Sequence, residues 1–145
     1  MSKVEDFLSK EEEQAIVEAI RVAEKNTSGE IRVHLEKSTS TDALARAVEV
    51  FNLLEMHKTK DSNGVLFYVA VKDKVFAICG DKGINEKVPA DFWNSTKDSM
   101  ASHFKTGNFK QGLVDGILQA GEQLKHHFPY QDDDTDELSN EISIG

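Results

Sequence analysis

Cysteine is nearly absent from this chain of 145 residues, with Cys79 standing alone. No intramolecular disulfide can form, and the chain reads as one kept in a reducing compartment. Long apolar runs are also missing. The longest is residues 65–71, VLFYVAV, far short of the roughly 20 residues that cross a bilayer. Basic residues are outnumbered, 17 Lys and Arg against 26 Asp and Glu, a net charge of −9. Without a basic face, nucleic-acid binding is excluded as an expectation. The first residues, MSKVEDFLSKEEEQ, carry acids where a signal peptide carries a basic end and an apolar core. A cytoplasmic location with no membrane span is therefore expected.

What the chain does have is an ordinary globular make-up, 39% hydrophobic and 30% charged, at a length that fits one domain with a real core. The charge is unevenly placed. Residues 130–145 hold six acids and no Lys or Arg, which leaves the body only mildly acidic at −3. This division predicts a single domain over residues 1–129 and an acidic, mobile tail over 130–145.

Periodicity supplies the elements. Ser9 and Glu12 form a capping box before a helical stripe of Ala15, Ile16, Ala19, Ile20 and Ala23, with Phe7 or Leu8 as a staple. IRVHLE alternates, with Ile31, Val33 and Leu35 on one face and Arg32, His34 and Glu36 on the other. A second helix follows, capped by Thr41, with Leu44, Ala45, Val48, Phe51 and Leu53 or Leu54 as its buried side. GVLFYVAV and KVFAIC are apolar on both faces, and the KD step between them makes an antiparallel hairpin. A third helix is expected around residues 92–104, and a fourth from Phe109, stopped by Pro129. The order α-β-α-β-β-α-α predicts a three-layer α/β/α sandwich, in which a small mixed sheet carries one antiparallel hairpin.

That topology gathers acids. Two parallel strands begin at the same end of the sheet, and the hairpin partner finishes there. Glu30, Asp61 and Asp81 are thereby brought to one rim, with Glu86 and Asp91 in the following connection. Two unit charges about 5 Å apart repel by roughly 3 kcal/mol at an effective dielectric near 20. A hard divalent cation, Ca²⁺ or Mg²⁺, would turn that repulsion into binding, since both prefer oxygen ligands. Solvated turn residues are the competing reading of the same acids.

Other candidates carry less. Asp132, Asp134 and Asp136 alternate as an EF-hand loop begins, but Glu137 stands where that loop needs Gly and Ser143 where it needs Glu. His126 and His127 are adjacent, the wrong spacing for two ligands on one helix face. His34 is either a ligand or acid/base group or half-buried structure. Cys79 lies in an apolar strand, with no Cys-x₅-Arg loop, and no P-loop, G-x-S-x-G or G-x-G-x-x-G occurs. Trp93 is expected to anchor the third helix to the sheet.

The segments TSGEIRVHLE, NGVLFYVA with its hairpin and Gly-x-x-Gly turn, EKVPADF, and GNFKQGLVDGILQAGEQL occur in this order across roughly residues 8–128. Together they resemble the TPM domain family, named from thylakoid-lumen, photosystem II and receptor-modulating members. The resemblance implies an α/β/α sandwich with a divalent-cation site, commonly calcium, at the sheet rim. Weak acid phosphatase activity is attributed to some members. Position by position it supports Asp61, Glu86 and Asp91, and it is weaker at Asp81. Two departures stand out: Ser62 separates Asp61 from Asn63, and Ala90 separates Pro89 from Asp91. The expected function is a non-catalytic, divalent-cation-binding accessory or interaction module that works through partners, such as another protein, or by sensing metal. A metal-assisted phosphatase is the alternative, for which Lys82 and Lys87 are the nearest phosphate clamps.

Overall fold

The computed structural model describes residues 8–59, 62–129 and 142–144. Helix α1 (Lys10–Glu24) opens on the expected capping box: the Ser9 side chain accepts from the Glu12 N–H, and Glu12 returns the bond to the Ser9 N–H. Leu8, just ahead of the cap, is buried in the core. Strand β1 (Glu30–Glu36) leads into α2 (Ala43–Leu53), a short 3-10 turn (Met56–Lys58) and β2 (Gly64–Ala70). Then come β3 (Val75–Gly80), the short α3 (Lys82–Lys87), α4 (Asn94–Lys105), α5 (Phe109–Leu124) and β4 (Ser143–Ile144).

The sheet order is β3-β2-β1-β4. β1 and β2 run parallel, as a crossover through a helix requires. β2 and β3 run antiparallel. Side chains of alternate residues fill two layers. Ile31, Val33, Leu35, Val65, Phe67, Val69 and Ile78 pack under α1, α4 and α5. Leu66, Tyr68, Ala70, Ala77 and Cys79 pack under α2. The result is the expected three-layer sandwich. Trp93, buried at the head of α4, joins the larger core.

Several details differ from the sequence reading, beginning with the short α3 where a polar connection was expected. The hairpin turn is residues 71–74 rather than the KD step, because Lys74 takes a left-handed φ of 57° and ends the pairing. The cap of α2 is Asp42, whose carboxylate accepts from the Ala45 N–H at 3.1 Å, and not Thr41. The buried side of α2 is Ala47, Val50 and Phe51, while Leu44 and Val48 are 50% and 45% exposed. Finally, β3 is an edge strand, and β4 adds to the other edge with Ser143 opposite His34. The expected tail lies mostly outside the described residues; only 142–144 of it fall within them.

Candidate functional site

The rim where the acids were expected is the end of the sheet at Glu30, Gly64 and Asp81. Glu30 is the register partner of Gly64, and the Asp81 N–H donates to the Gly64 carbonyl at 2.9 Å. The three positions therefore form one row across the sheet. Neighbouring strands are about 4.8 Å apart, so Glu30 and Asp81 stand about 10 Å apart with a side-chain-free glycine between them. The row alternates with Ile31, Val65 and Gly80, so it faces the α2 layer.

Local bonds hold this rim rigid. Asn63 is buried and donates through Nδ2 to the Ser28 carbonyl at 3.1 Å, and its own carbonyl accepts from the Glu30 N–H. Ser62, the residue that separates Asp61 from Asn63, takes a left-handed φ of 51°. Glu30 is buried. Asp81 caps α3, with Oδ1 accepting from the Lys82 N–H at 2.7 Å. Its other oxygen, Oδ2, is buried and has no hydrogen-bond partner among the described residues. Such an oxygen costs free energy that a cation or donor would recover.

The remaining predicted ligands are placed differently. Asp61 lies outside the described residues. Glu86 is exposed and stands 3.9 Å from Lys82 on the same helix. Asp91 is exposed in the turn before α4, where its carbonyl accepts from the Asn94 N–H. Among the described residues no three His, Cys, Asp or Glu side chains group closely enough to hold a metal ion. Of the four described candidates, the fold brings only Glu30 and Asp81 into one row.

A second polar cluster, at the far end of β1, was not foreseen beyond His34. Glu36 is buried and held by Arg46 through two bonds, 2.9 and 2.7 Å long, and by the Tyr68 hydroxyl. His34 is buried as well; its Nε2 lies 3.5 Å from Glu36, and its Nδ1 lies 3.0 Å from the Ser143 hydroxyl. The Arg46 guanidinium, followed by Tyr68, holds the Glu36 carboxyl down at about 2. Burial pushes His34 below its ordinary value, only partly countered by Glu36. Glu36 likewise keeps Tyr68 protonated, adding to the effect of burial. Glu36 is bonded by Arg46 and Tyr68 and His34 by Ser143, while the buried His34 Nε2 makes no hydrogen bond among the described residues, and the cluster ties α2, β1, β2 and β4 together. Nothing local in the sequence announces it, since Arg46 and Tyr68 meet Glu36 only after folding.

Three other titratable side chains are held by burial or by a neighbour. Cys79 is buried, and burial followed by the nearby Asp81 pushes its thiol up to about 11. Lys87 stacks its ammonium over the Phe128 ring at 4.6 Å. His103 pairs with Asp115 at 2.8 Å between α4 and α5.

The family model of the TPM domain, labelled TPM phosphatase, matches residues 1–123. Among solved structures, the NMR structure of the BA42 protein from the psychrophilic bacterium Bizionia argentinensis is 61% identical. That match covers 100% of both chains with a TM-score of 0.93. The N-terminal domain of a P. gingivalis protein is 19% identical, covers 86% of this chain and 82% of its own, and has a TM-score of 0.70. The N-terminal domain of the cg2496 protein from Corynebacterium glutamicum is 11% identical, covers 79% and 72%, and has a TM-score of 0.65. The last two share the fold. No curated protein matches the chain.

Proposed function

The chain belongs to the TPM domain family, and on that premise we propose that it binds one hard divalent cation, Ca²⁺ or Mg²⁺, at the Glu30–Gly64–Asp81 rim as a non-catalytic interaction module. The observation that carries this reading is the buried Oδ2 of the half-buried Asp81, which has no hydrogen-bond partner among the described residues and lies in the same row as the buried Glu30. Both are oxygen donors, and the Gly64 position between them carries no side chain to obstruct an ion. Asp61, three residues before Gly64 in sequence, is the proposed third carboxylate. Ca²⁺ takes six to eight oxygens, so carbonyls and water or a bound ligand complete the shell.

Module rather than enzyme is favoured by what surrounds the rim. The one thiol is buried and protonated. Lys82 is 81% exposed on α3, 3.9 Å from Glu86, and Lys87 lies on Phe128, so neither lysine is held in place at the rim. Among the described residues no helix is long and apolar enough to cross a membrane.

The test is a titration of the whole chain with Ca²⁺ and then Mg²⁺, followed by backbone amide shifts. Changes are expected at residues 30, 63–64 and 80–82. Asp81→Asn keeps a capping side chain for α3 and is expected to weaken binding by about tenfold or more. Shifts confined to residues 132–141 would place the ion on the acidic tail instead and end this proposal.

A further inference from the structure

Among the described residues β3 has a neighbouring strand, β2, on one side only, so alternate backbone groups face the open edge. The register says which. The Asp81 N–H donates to the Gly64 carbonyl at 2.9 Å, and bonded and non-bonded residues alternate along an antiparallel pair. Cys79 and Ala77 therefore bond to β2, while Gly80 and Ile78 turn their N–H and C=O groups outward. The Gly80 carbonyl bears this out, because it accepts from Asn85 Nδ2, beyond the strand, at 3.2 Å. The Gly80 N–H and both backbone groups of Ile78 have no hydrogen-bond partner among the described residues. A groove of about 480 Å³ runs along this stretch, with Ile78, Cys79 and Gly80 in its lining. Since α2 and α4 cover opposite faces of the sheet, Leu44, Val48 and Phe51 wall one side of the groove and Trp93 the other. Leu44 and Val48 are left about half exposed, although Ala47, Val50 and Phe51 already cover the sheet.

We infer that this groove is a strand-addition site, in which an extended, uncharged apolar segment of another protein pairs with β3 at Ile78 and Gly80. Unpaired groups on a sheet edge are a template for a further strand, and main-chain bonds to such an edge supply affinity while flanking pockets supply specificity. Side chains of the added segment alternate between the two faces of the sheet. They rest by turns on Leu44, Val48 and Phe51 and on Trp93, so both faces of the segment are apolar. The charged side chains of the lining, Asp81 and Lys97, are one of each sign, with His57 the remaining titratable one. The groove therefore attracts neither an acidic nor a basic segment. Valine, isoleucine and aromatic residues suit it, since they favour extended backbone. A second copy of this chain fits less well. The edge is recessed between α2 and α4, and a copy would have to bring its own two helices against these, whereas a single segment carries no such flanks. The inference goes beyond the cation reading and needs no ion.

The probe is the peptide acetyl-Lys-Ser-Val-Ile-Val-Thr-Glu-amide, titrated into the whole chain in EDTA, with amide shifts and amide hydrogen exchange as readouts. Three relatives are run in parallel: one N-methylated at the central Val-Ile-Val, and two with both valines replaced by lysine or by glutamate. Shifts are expected at residues 44–51, 78–81 and 93. Exchange at the Ile78 and Gly80 amides is expected to slow by about tenfold or more as they gain partners, while the already paired Ala77 and Cys79 amides change less. The N-methylated peptide keeps its side chains but loses its donors, and is expected to bind at least about fivefold more weakly. Val48→Lys, a change at an exposed wall position, is expected to weaken the parent peptide by about tenfold. Equal binding by the N-methylated peptide, or unaltered exchange at Ile78 and Gly80, would mean apolar adsorption without pairing and end the inference. Tighter binding of the lysine or glutamate peptide would overturn the uncharged class. Exchange at Ile78 and Gly80 that slows with protein concentration alone would give the edge to a second copy. With divalent ions removed by EDTA, failure here leaves the cation reading standing, and a rim that ignores Ca²⁺ leaves this inference standing.

Discussion

Glu36 shows at the scale of one residue why a buried charge in this protein is affordable. Removing a carboxylate from water costs several kcal/mol unless donors replace the water. Glu36 receives two bonds from Arg46 and one from Tyr68, with His34 close by. Arg46 is itself partly exposed, with 28% of its side chain open to solvent, so deleting it leaves a carboxylate poorly compensated rather than a matched pair of holes. Arg46→Leu is expected to destabilise the fold by about 3 kcal/mol. It should also raise the Glu36 pKa. Urea unfolding at neutral pH measures the first and carboxyl NMR titration the second; an unchanged Glu36 titration would show that Tyr68 and His34 alone hold the charge. The rim acids behave differently. Glu30 and Asp81 were readable in advance because strand direction alone places them, whereas the Glu36 cluster depends on a residue of α2 that pattern cannot align with β1.

Elements repeat that division. The capping box of α1, the alternation of β1 and the parallel crossover are set by local periodicity and chain direction, and the sequence shows all three. The face of α2 is not set locally. Leu44, Val48 and Phe51 make as good a helical stripe as Ala47, Val50, Phe51 and Leu54, and the tertiary choice went to the one with small Ala47 against the sheet. That choice leaves Leu44 and Val48 about half exposed, which no pattern reading could find. Close approach is likewise invisible to periodicity. A Cβ on Gly121 of α5 would meet the Ala23 Cα of α1 at 2.8 Å and the Ala23 carbonyl oxygen at 3.1 Å. Backbone atoms cannot yield as a flexible side chain can, so Gly121→Ala is expected to destabilise the domain by about 1–2 kcal/mol. This is a net figure after about 1 kcal/mol of improved helix propensity. Thermal or urea unfolding checks it, and a variant as stable as the parent would mean α1 and α5 can separate freely.

Across the whole molecule, the two ends of the sheet divide the work. One end carries the rim proposed for a cation, while the other is closed by β4, whose two residues pair with β1 only through contacts far apart in sequence. A two-residue strand after an acidic stretch is too short for alternation to reveal. Its anchor, the His34–Ser143 contact, makes the closure sensitive to pH. Burial lowers the folded His34 pKa below 6.5, so the unfolded chain takes up that proton first. Stability therefore falls as pH drops below 6.5 and stops falling, for this group, once the folded His34 is also protonated. Glu36 acts in the same direction lower down, since its folded pKa of about 2 lies under the unfolded 4.5, and its contribution is lost between those values. Urea midpoints are thus expected to hold steady above pH 7 and to decline from pH 6.5 downward. His34→Gln keeps a group able to bond Ser143 without a titrating nitrogen, and should flatten the part of the decline that lies above pH 4.5 relative to the parent. Parallel profiles for the two proteins would remove His34 as the cause and leave β4 docking independent of its protonation.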